Sequence, residues 1–282
     1  MVDLKRRIER QGEQLAILRR ARSLLDGLFT DLAAAAVGAE VHGARRRIKR
    51  LRSLVRLLKT AIGKSQSDSA DRALKKAADA LAAPRRAEAL SAALAKIEAG
   101  LPKNHGLKVL LNAYLTRHAD QDALAVSIER ALAAVEGIRA EFDSWRLNDD
   151  AARPIAKAFA NTYRKARKDL RAAAKSGKAE ALHDARKLVI HHLHHLELLG
   201  NILNREPTDR IDALNRLREL LGDINDLDEL EALAKSQNLA LPPQVTQALR
   251  QRKAALVRKV RKAWRPLFET RTKPFVKCIV AM

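Results

Sequence analysis

Apolar residues return every three or four positions over 13–36 and again over 41–62, the period that turns one face of an α-helix toward a core. The polar stretch GKSQSDS at 63–69 interrupts this rhythm, and shorter helical patterns follow over 70–82 and 85–99. GLPKNHG at 100–106 breaks the chain again before two more helical stretches that run to Trp145. The segment RLNDDAARP at 146–154 is polar and ends in a proline suited to a helix start, so it reads as the join between two halves, 1–148 and 149–282.

The second half repeats the plan of the first. A helix over 154–175 leads through the turn SGKAE into a helix over 181–203, and a third follows EPTD, where Asp209 is placed to cap its first turn. A long basic helix over 243–268 comes after LALPP. Residues repeat as well as elements: His42-Gly43-Ala44-Arg45-Arg46 aligns with His183-Asp184-Ala185-Arg186-Lys187, each near the start of the second helix of its half. The expectation is an all-α protein built as two four-helix-bundle halves. Approximate twofold symmetry would then turn the two motif helices toward one shared basic groove.

The first motif helix carries two stripes. Val41, Ile48, Leu51, Val55, Leu58 and Ile62 form an apolar one. His42, Arg45, Lys49, Arg52, Arg56 and Lys59 form a basic one, a residue along and about 100° around the axis. With Arg46 and Arg50 beside it, this ladder offers a cation about every 5.4 Å, a rise that follows successive phosphates of an extended chain. No Asp or Glu occurs from 41 to 62, so the repulsion between like charges three and four residues apart is unrelieved within the helix. Arg supplies planar forks and Lys mobile point charges, a mixture that fits a repetitive phosphate ligand better than one small anion.

Composition widens the charge argument to the whole chain. Among 282 residues, 55 Lys and Arg stand against 33 Asp and Glu, a formal charge of +22, and such a potential calls for a polyanion: nucleic acid, an anionic membrane surface or a phosphate polymer. Aromatics make up only 3% of the residues, no stacking side chain is interleaved with the basic positions of the first motif, and no zinc-finger or RRM signature is present. Binding of DNA or RNA through phosphate contacts alone stays open as the alternative. The single cysteine, Cys278, excludes an internal disulfide, no apolar run approaches roughly 18 residues, and the first residues lack a signal-peptide core. No membrane partner is expected, and the cytoplasm is the expected setting.

Two clusters bear on chemistry. HHLHH places His191 and His192 at helix-compatible spacings from His195, but no third ligand is identifiable, so no metal is expected. Asp223, Asp226, Asp228 and Glu229 in GDINDLDE read as carboxylates that orient neighbouring arginines and pin helices together, in preference to a Mg²⁺ site. A P-loop, a nucleophile elbow and the Glu-x-Glu-x-Lys of triphosphate tunnel enzymes are all missing. A binding protein is expected, with no catalytic residues and no cofactor.

VHGARRRIKRLRSLVRLL resembles the first-half motif of the CHAD domains, helical modules named for their histidines that bind inorganic polyphosphate. YRKARKDLRAAAKSGKAEALHDARK resembles the second-half motif, and LGDINDLDEL the Leu-Gly stretch with acidic residues that follows it. The likeness covers roughly 13–268 and implies one CHAD-like domain over 1–282, with two four-helix bundles around a basic central groove or pore. It assigns polyphosphate contacts to His42, Arg45, Lys49, Arg50 and Arg52, which the ladder extends to Arg46 and Arg56. In the second half it assigns them to Tyr163, Arg164, Arg167, His183, Arg186 and Lys187. His192 and His195 match positions that recur in one branch of the family. Sulfate and short phosphate chains are expected to be able to enter the same groove, and the purpose of binding stays open between targeting to polyphosphate granules, chain-length control and presentation to a partner enzyme. The chain departs from the pattern at Leu188 and Ile190, where basic residues are usual, and at Arg86, where an acid is common.

Overall fold

The computed structural model describes residues 2–9, 11–38, 40–98, 100, 106–118, 121–148, 150–200 and 208–281. The described residues form thirteen helices and no strand. In the first half these are α1 (Val2–Ile8), α2 (Gln11–Ala36), α3 (His42–Leu58), α4 (Lys64–Ala80), α5 (Ala82–Glu98), α6 (Leu107–His118), α7 (Gln121–Glu136) and α8 (Arg139–Ser144). The second half supplies α9 (Ala152–Ser176), α10 (Ala179–Leu199), α11 (Thr208–Ser236), α12 (Pro243–Phe268) and α13 (Thr272–Ala281).

Packing follows the apolar stripes. Val41, Ile48, Leu51, Val55, Leu58 and Ile62 are all buried, and Ala44, Leu54 and Leu57 broaden the face they make. Each fully buried aliphatic side chain of this kind contributes about 1.5–3 kcal/mol of transfer free energy. Helix α3 packs on α2 and α4, and α4 and α2 both pack on α7. In the second half, α9 packs on α10, α10 on α11, α11 on α12 and α12 back on α9. Helices α9 and α10 also pack on α3, and α5 packs on α11, so the two halves meet along the first motif helix.

The sequence marks most boundaries, with one clear correction. GKSQSDS is not the break: the helical backbone is interrupted over 59–63, ending at Gly63 with φ 101°, and α4 begins at Lys64. Its serines are helical because one of them, Ser67, is buried and donates its hydroxyl to the Val55 carbonyl at 3.4 Å. Asp209 lies inside the first turn of α11, near the positive end of the helix dipole, while Thr208 opens the helix. Helix α9 ends as its sequence implies, at Gly177 in the left-handed conformation (φ 66°), whose N–H donates to Ala173. Residues 201–203 of the expected second motif helix, residues 101–105 of GLPKNHG and the side chain of Arg86 lie outside the described residues.

Candidate functional site

Helices α3, α10 and α11 enclose a cleft of about 380 Å³, with Lys96 of α5 on its lining. His42, Arg45, Arg46, Lys49 and Arg50 reach it from α3, Arg186 from α10 and Arg218 from α11. Glu197 of α10 and Glu219, Asp223 and Asp226 of α11 line it too, so seven Lys and Arg side chains face four carboxylates. The excess positive charge is focused between low-dielectric walls, where it acts more strongly on an anion than it would on an open surface.

Several of these groups are held in place by ion pairs and helix ends. Arg45 donates from one guanidinium nitrogen to the carbonyls of Ala78 (2.9 Å) and Leu81 (2.7 Å), at the C-terminal end of α4 where unpaired carbonyls favour a cation. Arg50 Nε lies 3.3 Å from a Glu197 oxygen. Lys96 donates to Asp223 at 2.6 Å, linking α5 to α11. Asp228 accepts from Lys253 of α12, and Glu229 from Asn225. The carboxylates of GDINDLDE thus include two that pin helices together.

The lower part of the α3 ladder leaves the cleft. Arg52 donates to both oxygens of Asp71 on α4, at 2.8 and 3.3 Å, Arg56 lies 3.8 Å from the same carboxylate, and Lys59 donates to Asp68 at 2.6 Å. Arg47, on another face, donates to Asp31 of α2 at 2.6 Å. The repulsion that the sequence leaves unrelieved within α3 is therefore relieved between helices, by acids that intrahelical spacing does not show. Burial pushes the Asp71 carboxyl up, but the hydrogen bond from Arg52 and the charges of Arg52 and Arg56 outweigh it and hold the group below its ordinary value.

Behind the cleft, HHLHH clasps α3 through one serine. Ser53 is buried, and its hydroxyl oxygen lies 2.8 Å from His191 Nδ1, 2.9 Å from His194 Nδ1 and 2.8 Å from the Lys49 carbonyl. Arg56, always a donor, lies 2.8 Å from His191 Nε2, which must accept, so the His191 proton sits on Nδ1 and is donated to Ser53. His195 Nε2 donates to the Ser53 carbonyl at 2.9 Å. Burial, reinforced by Arg56 for His191 and by Arg50 for His194, pushes both rings down to about 3. Burial takes His195 down to about 4 against the raising effect of its hydrogen bond. These rings are neutral and structural, and no group of three or more His, Cys, Asp or Glu among the described residues is arranged to hold a metal.

The CHAD domain family profile matches residues 16–235. The chain belongs to the CHAD domain family. Comparison with curated proteins and with solved structures found no match in either. The CHAD match spans both motif helices and ends at the last turn of α11, with α12 and α13 beyond it. The family is generally linked to polyphosphate binding, as a non-catalytic module.

Seen as a CHAD domain, the chain brings only some of the expected contacts together. His42, Arg45, Arg46, Lys49, Arg50 and Arg186 share the cleft. Arg52 and Arg56 face α4, as above. Tyr163 is fully buried, stacked on Phe275 at 3.7 Å, and donates its hydroxyl to the Thr270 carbonyl. His192 is fully buried among Phe159, Tyr163, Phe268 and Phe275, and His195 is buried on Ser53. His183 is exposed and bonded to Asn225, and Lys187 is exposed beside Asp184. Arg167 belongs to a different surface, along α12, where it donates to the Glu269 carbonyl, and Arg164 is exposed and donates to Asn161 of its own helix. Sequence reading missed Lys96, Arg218 and Glu197. Arg218 sits in LRELLGDIND, five residues before Asp223, where its position beside the acids was a usable signal; Lys96 and Glu197 reach the cleft only through tertiary packing.

Proposed function

We propose that this CHAD domain binds inorganic polyphosphate as a single domain over 1–282. In this reading its two four-helix groups are related by approximate twofold symmetry, and their motif helices, α3 and α10, share the seat of the chain. The observation that carries the reading is the meeting of His42, Arg45, Arg46, Lys49 and Arg50 with Arg186 of the second motif around one cleft. Bidentate Arg contacts and mobile Lys contacts suit a run of equivalent phosphates. The volume of about 380 Å³ also favours a thin chain. Duplex DNA, whose major groove alone is about 12 Å wide, is too broad to enter it. Sulfate and short phosphate chains fit the same seat less tightly, because they reach fewer cations. Recruitment to polyphosphate granules in the cytoplasm follows as the cellular consequence.

The test is a titration of labelled long-chain polyphosphate into the wild type and into Arg46→Glu/Lys49→Glu, two exposed positions of α3 away from its packed face. Loss of at least about tenfold in affinity, with an unchanged thermal transition, is expected for removal of two phosphate contacts in a desolvated cleft. Native affinity in a folded double variant contradicts the reading.

A further inference from the structure

Most of the α3 cations have acids beside them, but few of those on the α9–α12 face do. Between Arg164 and Lys175, α9 carries six Lys and Arg and one acid, Asp169; between Arg258 and Arg265, α12 carries five and none. Arg261 donates to the Ala174 carbonyl at 2.6 Å and Arg167 to the Glu269 carbonyl at 3.3 Å, so the two helices run antiparallel with their basic residues side by side. Lys168, Arg171 and Lys175 on one helix, and Arg258, Lys262 and Arg265 on the other, are exposed and form no ion pair among the described residues. Six exposed cations without an ion pair thus stand together here, on a face that shares no lining residue with the cleft.

This face also holds an aromatic side chain, Trp264. Its ring packs against the core on one side and, on the other, lines a surface pocket of about 310 Å³ together with Arg167, Arg171, Arg265 and Glu269. A bare phosphate chain gains nothing from an indole. A nucleobase stacks on one while flanking arginines take the neighbouring phosphates. We propose that the α9–α12 face is a docking surface for single-stranded nucleic acid, with Trp264 as its stacking platform and Arg171 and Arg265 as its phosphate clamps. This surface is separate from the polyphosphate cleft and does not rest on it.

The chain contains its own reporter. Its other tryptophan, Trp145, is fully buried and stacked on Phe142, so a change in indole emission on binding reports Trp264. Titration with mixed-sequence single-stranded DNA and RNA of about sixteen nucleotides, the upper end of a single-fold site, is expected to quench the emission saturably. Measured by anisotropy of the same oligonucleotides carrying a fluorescent label, Trp264→Phe is expected to weaken binding severalfold and Trp264→Ala about tenfold, the loss typical of one stacked base. The exposed double variant Arg171→Glu/Arg265→Glu abolishes binding, whereas the cleft variant Arg46→Glu/Lys49→Glu leaves it unchanged. Absence of quenching by either oligonucleotide, equal quenching by polyphosphate, or unaltered affinity in the folded Arg171→Glu/Arg265→Glu variant overturns the proposal.

Discussion

Arg52 of α3 grips Asp71 of α4 through two hydrogen bonds, at 2.8 and 3.3 Å, on the side of the helix away from the cleft. A residue that the motif assigns to phosphate is thus committed to helix packing. Arg52→Gln is expected to lower stability by about 1–2 kcal/mol, a partly exposed charge-assisted pair lying at the low end of its class, and to change polyphosphate affinity less than threefold. Urea denaturation beside a binding titration of the same variant checks both. A large affinity loss at unchanged stability would return Arg52 to the site.

Ser53 carries more than its size implies, because it serves two imidazoles, and its own hydroxyl lies within reach of a backbone carbonyl. Ser53→Ala leaves buried polar nitrogens on His191 and His194 unsatisfied, at a cost of about 2–4 kcal/mol for two such groups. The denaturation midpoint should fall accordingly, while Ser53→Thr, which keeps the hydroxyl, should lose less.

The buried histidines set the acid limit of the fold. Their folded values lie below the ordinary 6.5, so the unfolded chain takes up protons that the native one excludes. Stability is then fully present above about pH 7 and falls as pH drops from 6.5 toward 3, each ring contributing at most about 1.4 kcal/mol per pH unit. Urea midpoints measured at pH 7.5, 5.5 and 4.5 should decline in that order, and less steeply in His194→Gln. Equal midpoints at the three values contradict the burial of neutral rings.

Glu197 stands inside the cleft, 3.3 Å from Arg50, as an internal counter-charge that a phosphate chain must compete with. Glu197→Gln is expected to tighten polyphosphate binding about twofold at low salt, the scale of a partly exposed ion pair, with the gain shrinking as salt screens it. Weaker binding in this variant would make Glu197 a support for Arg50 instead of its competitor.

How far the sequence reveals this structure depends on whether the informative partner lies along the helix or across it. The stripe from Val41 to Ile62 announces α3 because burial repeats with the helical period, and the patterns over 243–268 and 154–175 announce α12 and α9 equally well. Helices α1 and α13, seven and ten residues long, were not foreseen, because a pattern so short has too few turns to establish a period. The cleft was legible where the motif repeats, at Arg45 and Arg186, and illegible where function is decided across helices. Arg52, Arg56 and Lys59 look like equal rungs with Arg45 and Lys49 until α4 supplies Asp68 and Asp71. His192 and His195 share a motif with polar ladders, yet their neighbours are aromatic rings and a backbone carbonyl.

The central claim is that the cleft is shaped for a thin phosphate chain, and displacement of labelled long-chain polyphosphate by unlabelled polyphosphate and by duplex DNA tests it most directly. With competitors matched in phosphate and salt near physiological strength, counterion release weakens both, and polyphosphate should displace the label at a concentration at least about tenfold lower. Equal displacement by duplex DNA would contradict the account, because the charge would then act as a surface and not as a site.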